Sequence, residues 1–371
     1  MIIGCTKEIK THEYRVGLTP SNVYDYVKNG HRVLIERGAG EGASLSDEEY
    51  KAAGAEIINN ADDIWQTADM IIKVKEPLPS EYEKFKEDQL LYTFLHLAAD
   101  KPLTEALIKK RVRAVAYETI TDKTGGFPLL KPMSEVAGRL SIQQAAKYLE
   151  KPKGGRGVLL SGIPGTKRGK VTVIGAGSVG LSAAVIAVGM GAEVSILDIN
   201  IDRLTYIDDI YGNKIQTLMS SAGNIAEELK TADAVIGSVY IAGSAAPKLI
   251  RKEHLSTMKP GSVLVDVAID QGGCAETSRV TYHDDPVYVV DGVTHYCVAN
   301  MPGAVPRTST IGLTNATLRQ GLSIANKGLE QAAKDDIHLK NGINAYNGYI
   351  TYTSVADEFG LEYKNFEEVM R

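Results

Sequence analysis

A chain of 371 residues exceeds the size at which one hydrophobic core keeps growing, so two domains are expected. Hydrophobic residues at 44% and charged residues at 23% describe a globular protein and exclude a disordered or fibrous one. A formal charge of -5, with no dense Lys/Arg run, excludes a basic surface for nucleic acid.

The N-terminal "MIIGCTKEIK" lacks a basic region followed by a long apolar stretch, so no signal peptide is expected. From there short apolar runs alternate with amphipathic stretches. In chain order, "MIIGC" reads as a strand, "PSNVYDYVKNG" as a helix, "HRVLIE" as a strand and "SDEEYKAAG" as a helix. "DMIIKV" and "LLYTFL" read as strands, "DKPLTEALIKKR" as a helix and "RAVAYET" as a strand. Strands separated by helix-sized segments imply a largely parallel sheet covered on both faces. Breakers crowd "TDKTGGFPLLKPM", after which Ser134 is expected to N-cap a long helix, "SEVAGRLSIQQAAKYLE". The Gly-rich "KPKGGRGVLLSGIPGTKRGK" then opens onto a second alternating set. Its tail is no P-loop, because Pro164 stands where the first glycine belongs and no Ser or Thr follows Lys170.

In that second set "VTVIG", "AEVSILD", "ADAVIGSV", "SVLVDVAID" and "VYVVDGV" read as strands. The apolar "GLSAAVIAVGMGA" is shorter than the ~20 residues that cross a bilayer, so no membrane span is expected. Cys5, Cys274 and Cys297 lie far apart without CxxC spacing, which predicts a reduced compartment, no cysteine-held metal and a cytoplasmic protein. After "ANMPGAVPRTST" the helical "IGLTNATLRQGLSIANKGLEQAAK" comes too late for the second sheet and is expected to cross back to the first domain. The fold class that follows is α/β, two doubly wound Rossmann-like domains separated by a cleft. Residues 1–130 plus 305–371 would form the substrate domain, and 131–304 the nucleotide domain.

"KVTVIGAGSVGLSAAVIAVGMGAEVSILDIN" meets the contextual demands of a dinucleotide fingerprint. An apolar strand feeds Gly175-x-Gly177-x-x-Gly180, an Ala-rich helix follows, and a second strand ends at Asp198, 21 residues after Gly177. Ser178 and Val179 open that helix, whose N-terminal N–H groups would hold the phosphates. Asp198 suits an adenosine ribose and favours NAD, since a 2'-phosphate would meet its charge. Arg203 argues the other way, but an acid directly on the strand end is the stronger determinant. Later strand ends supply Val239 and Tyr240, the run Val267, Ala268, Ile269 and Asp270, then Asn300 and Met301. Each of these has ordinary loop capping as its alternative.

Ligands of doubly wound sheets bind outside the carboxyl ends of strands. In the first domain those ends carry Arg15, Lys75 and His96. Singly they read as a loop cation, a strand terminator and a satisfied edge histidine. Together they suit one small polar substrate: arginine grips a carboxylate in two-point fashion, lysine polarises a carbonyl, and imidazole moves protons near neutral pH. Lys73 lies deeper in its strand than Lys75, and no catalytic role is assigned to it.

The blocks "HEYRVGLTP", "VKEPL", "FLHLAAD", "KPMSEVAGR", "VIGAGSVG", "LDIN" and "VDVAIDQGG" together resemble the alanine dehydrogenase family over essentially the whole chain. Several of them also resemble the NAD-binding part of proton-pumping transhydrogenase. The resemblance implies reversible NAD-dependent conversion of L-alanine to pyruvate and ammonium, by a homohexamer. It implies that Arg15 and Lys75 bind substrate and that His96 and Asp270 do the acid–base chemistry. It further implies that Ser134, Val179, Asp198, Arg203, Ser220, Val239, Arg279, Val298 and Met301 line the nucleotide site. The rival expectations are a transhydrogenase subunit, a nucleotide-sensing module without turnover, and a dehydrogenase for a larger amino or imino acid.

Overall fold

The computed structural model describes residues 1–240 and 245–370. Contacts divide the chain into two compact units, Met1–Met133 with Val305–Arg371, and Ser134–Ala304. In chain order the strands are β1 (Ile2–Cys5), β2 (Arg32–Glu36), β3 (Glu56–Ile58), β4 (Met70–Ile72), β5 (Leu90–Thr93), β6 (Arg113–Ala116) and β7 (Lys170–Ile174). They continue with β8 (Glu193–Asp198), β9 (Gln216–Met219), β10 (Ala234–Gly237), β11 (Val263–Asp266), β12 (Val287–Val290), β13 (Val293–Tyr296), β14 (Ile343–Tyr346) and β15 (Tyr349–Ile350).

The first unit holds an eight-stranded sheet of order β15-β14-β6-β5-β4-β1-β2-β3. From β6 to β3 every pair is parallel, with Ile3 beside Val33 and Met70, and Ile71 beside Leu91. Helices connect these strands, so both faces are covered and the inner strands are apolar without a break. Trp65, Ile71, Leu91 and Leu107 sit in the core on one face. The second unit holds a seven-stranded sheet, β12-β13-β11-β10-β7-β8-β9, parallel except for the β12–β13 hairpin. Ile174, Leu197, Val235 and Leu264 anchor its core. Both are doubly wound α/β units. The helix Pro306–Lys327 belongs to the first unit, so the chain does cross back.

Three local readings change. Ser134 is no N-cap: the helix runs Lys131–Tyr148 and Ser134 lies inside its first turn. Pro132 does not stop it, because a first-turn residue has no intrahelical N–H bond to lose. "VYVVDGV" is not one strand but a hairpin, turned at Asp291 and Gly292 with φ of 49 and 79. Asp-Gly with both angles positive is the two-residue turn whose twist matches antiparallel strands. Third, β3 and β9 close the sheet edges as short, partly exposed strands that leave no apolar run to read.

Candidate active site

In the second unit the strand order reverses between β7 and β10. The chain leaves β7 through Gly175, whose φ of +101 is rarely open to an L side chain. A Cβ there would also lie 2.9 Å from Ser238 O, at the exit of β10. Gly177 then caps the helix Ser178–Gly189, which begins with exposed Ser178. A Cβ on Gly180 would fall 1.8 Å from Gly175 O, so the helix can seat against the turn only with glycine there. A Cβ on Gly177 would meet no atom within 4 Å. The space beside the first helical N–H groups is therefore open, and the helix dipole favours an anion in it. A pyrophosphate fits.

Asp198 ends β8 and grips this turn. One carboxylate oxygen accepts the Ala176 N–H at 2.6 Å and the other accepts the Asn200 N–H at 2.9 Å. Both oxygens retain acceptor capacity for ribose hydroxyls. Arg203 donates from Nε to Ala176 O at 2.7 Å, and its guanidinium lies over the Tyr206 ring. The Ser220 N–H donates to Asp198 O at 2.9 Å, which puts Ser220 on the same edge. Ser134 stands one helical turn before Gly138, whose Cβ would come within 2.2 Å of Val179 O, so this helix face meets the fingerprint helix.

Past β10, Val239 is half-buried and Tyr240 exposed. Past β11 a short 3-10 turn, Val267–Gln271, carries Ala268 and Ile269 inward and Asp270 outward. The loop after it is held by fully buried Asp266. Its Oδ2 accepts the N–H of Cys274 at 2.8 Å and of Ala275 at 3.2 Å, and the Ser278 hydroxyl at 2.5 Å. Burial, with the Asp266 charge beside it, pushes the Cys274 thiol far above its ordinary value, so it stays protonated. The Arg279 N–H donates to the Tyr288 hydroxyl at 2.8 Å, and its guanidinium lies 4.0 Å from that ring's centroid. Val298 and Met301 are buried, and Asn300 bends the loop with a φ of 63.

In the first unit the order reverses between β1 and β4. Gly17 crosses the end of β4 so closely that a Cβ would lie 2.8 Å from Ile72 O, which brings the Arg15 segment over that strand end. Arg15 is buried against Glu13 in a two-point contact, Nε to Oε1 at 2.7 Å and Nη2 to Oε2 at 2.6 Å. Lys73 is wholly buried, with Nζ 3.1 Å from Glu8 Oε2 and 3.2 Å from Glu81 Oε1. Burial opposes its charge, but the two carboxylates outweigh burial and raise its pKa. Lys75 is only half-buried, and its N–H donates to Glu8 Oε1 at 3.3 Å.

His96 follows β5 as an exposed residue in the left-handed region, φ 49, with its ring stacked on Phe94. Its N–H donates to Glu118 Oε1 at 2.6 Å, which holds that costly backbone angle. Burial works to raise the Glu76 carboxyl, yet Lys75, Lys10 and His96 outweigh it and hold the group below its usual range. Lys75 and His96 thus share one electrostatic neighbourhood. Cations and an imidazole at one strand-end crevice suit a small carboxylate-bearing ligand.

Comparison with known proteins decides the family. The description "Alanine dehydrogenase/PNT, N-terminal domain" matches residues 4–137, and "Alanine dehydrogenase/PNT, C-terminal domain" matches 141–353. The chain belongs to the alanine dehydrogenase/PNT family. It is 55% identical to an alanine dehydrogenase of Methanococcus maripaludis over all of both chains. It is 54% identical to one of Bacillus subtilis, covering all of this chain and 98% of the other. A solved structure of an L-alanine dehydrogenase superposes with a TM-score of 0.95 at 48% identity, covering 97% of this chain and 99% of that one. A transhydrogenase from Sinorhizobium meliloti, at 24% identity and a TM-score of 0.82 over 95% and 99% of the two chains, shares the fold.

The hydrogen bonds also bring in side chains that sequence reasoning missed. Glu8, Glu13, Glu118 and Asp266 are carboxylates, and the first three touch a residue proposed for the site while Asp266 anchors the loop after Asp270. Their sequence signal was slight. "TKEI", "HEYR" and "YETI" each hold an acid where any surface loop could. Asp266, four residues before Asp270 in an otherwise apolar strand, was the one acid visibly out of place.

Proposed function

We propose that the chain is an NAD-dependent L-alanine dehydrogenase, interconverting L-alanine and water with pyruvate and ammonium. The observation that carries this reading is identity of 54–55% with alanine dehydrogenases across essentially full length. The open glycine cradle above helix Ser178–Gly189 and the cation cluster past β4 support it from the site itself.

Asp198 would accept the adenosine ribose hydroxyls, and the first N–H groups of Ser178, Val179 and Gly180 would hold the pyrophosphate. Ser134, Arg203, Ser220, Val239, Tyr240, the run from Val267 to Asp270, Arg279, Val298, Asn300 and Met301 would line the rest. NAD, when bound, supplies the hydride acceptor. Everything else falls to the chain's own residues. Arg15 would take the substrate carboxylate, and Lys75 would hold the carboxylate or carbonyl oxygen. Oxidation at Cα leaves an imine, to which water must add before ammonia leaves. The His96 imidazole and the Asp270 carboxylate would take and return the protons of those steps.

We further propose a cytoplasmic homohexamer that can run toward alanine breakdown. Light scattering should then give six times the 40.0 kDa chain mass. The deciding assay is reduction of NAD by the purified chain alone, with L-alanine, serine and glycine compared. Alanine-dependent reduction that His96→Ala abolishes, with NADH binding retained, supports the reading. No reduction with any amino acid sinks it in favour of a subunit or sensor role.

A further inference from the structure

The two lysines of "IIKVKEPL" are treated oppositely by the fold. Lys75 is half-exposed at the crevice, whereas Lys73 is wholly buried, and so are the side chains that hold it. An ammonium and two carboxylates do not leave water unless their mutual contacts do something, since apolar residues of similar volume often serve stability equally well. The contacts show what that is. Glu8 Oε1 accepts the Val74 N–H at 2.6 Å and the Lys75 N–H at 3.3 Å. Its other oxygen meets Lys73 Nζ at 3.1 Å, and that ammonium reaches Glu81 Oε1 at 3.2 Å. Glu81 Oε2 then accepts the Leu78 N–H at 2.9 Å. The buried row therefore grips the segment from Val74 to Leu78 at both ends. What lies between is Lys75, Glu76 and Pro77, beyond the last strand residue, Ile72. The neighbouring strand reaches this stretch through the Phe94 N–H to Val74 O at 3.4 Å and the Thr93 hydroxyl to Lys75 O at 3.0 Å, and the row adds a hold at each end.

We infer that Glu8, Lys73 and Glu81 form a buried electrostatic staple that sets the position of Lys75 for the substrate oxygen. They are positioning residues: none of them touches substrate. Glu8 comes from the exit of β1 and Glu81 from the short helix Pro79–Tyr82, so the staple ties three pieces of chain to one ammonium. The inference rests on Lys75 as a substrate ligand, and the test separates the two claims.

The experiment is a double-mutant cycle on the full-length enzyme, combining Glu8→Gln with Lys75→Ala and reading kcat/KM for pyruvate alongside the NADH dissociation constant. Glu8→Gln keeps an amide oxygen for the Val74 N–H but removes the charge that Lys73 needs. Expected is a loss of roughly tenfold or more in kcat/KM for pyruvate, carried in KM, with NADH binding unchanged. In the Lys75→Ala background the same substitution should cost almost nothing further, because its route is gone. If the two losses simply multiply, Glu8 acts on general structure and the staple is overturned. If Lys75→Ala alone leaves pyruvate KM unchanged, the substrate-ligand reading fails instead. Should Glu8→Gln not fold, Glu81→Gln enters the same cycle from the other end of the segment, with the same two outcomes.

Discussion

Arg15 is proposed for two roles at once, one in stability and one in binding. The Arg15 and Glu13 side chains are 2% and 0% exposed, and they meet through two short hydrogen bonds. Arg15→Ala should raise the pyruvate KM roughly tenfold or more, the loss of one charge-assisted contact. It should also destabilise the fold by about 3–5 kcal/mol, because Glu13 would be left as an uncompensated buried charge. Arg15→Lys keeps the charge but cannot present a planar fork, so it should recover most of the stability and little of the KM. Denaturant titration and pyruvate saturation curves measure the two effects separately, and an unchanged KM in Arg15→Ala removes the residue from carboxylate binding. At this scale, residue type and strand-end position were legible in the sequence for Arg15, Lys75 and His96. The carboxylate partners of Lys75 and His96 were not. Glu8 is 67 residues from Lys75 and Glu118 is 22 from His96, so only the sheet order brings each to its partner.

Among the elements, the helix Ser178–Gly189 allows the clearest separation of folding from binding, because three of its glycines and caps face different surroundings. Gly180→Ala would put a methyl 1.8 Å from Gly175 O, a backbone atom that cannot yield, so both stability and nucleotide affinity should fall. Gly177→Ala meets no protein atom within 4 Å, so thermal stability should hold while NADH affinity drops, the methyl occupying space the pyrophosphate needs. Gly189→Ala is also unobstructed, on an exposed helical position, and should stabilise by about 0.5–1 kcal/mol with binding unchanged. Thermal melts with and without NADH test all three; equal losses of stability in Gly177→Ala and Gly180→Ala would contradict the division. The fingerprint itself was legible because strand, glycine spacing, helix and terminal acid follow one another along the chain. The same reasoning missed β9 and the β12–β13 turn, where the deciding information is edge exposure and a positive φ. It also misplaced the start of the helix Lys131–Tyr148, where Pro132 was read as a breaker although a first turn accommodates it.

For the chain as a whole, the buried ionisable groups set how stability should depend on pH. His295 is fully buried, with Nδ1 2.9 Å from Val293 O and Nε2 2.8 Å from Thr277 Oγ1. The carbonyl can only accept, so Nδ1 carries the proton and Nε2 takes the hydroxyl's; the ring is neutral. Burial depresses its pKa below the ordinary 6.5. The folded state therefore binds fewer protons than the unfolded chain between those two values. Stability should be fully present above pH 6.5 and decline as pH falls through it, by at most about 1.4 kcal/mol per pH unit for one group. Glu76, held low by the cations around it, adds a loss of the same sign below the ordinary 4.5 of a glutamate. Glu8 has the opposite sign. Burial raises its pKa against the pull of Lys73, so its share of stability is greatest in acid and is lost as pH rises through the raised value. Between pH 7 and 5 the share that belongs to the histidine is the one that His295→Gln removes. Denaturant unfolding of His295→Gln and of the parent chain across that window checks it: the variant should show the flatter dependence. Parallel slopes would assign the acid sensitivity to another group.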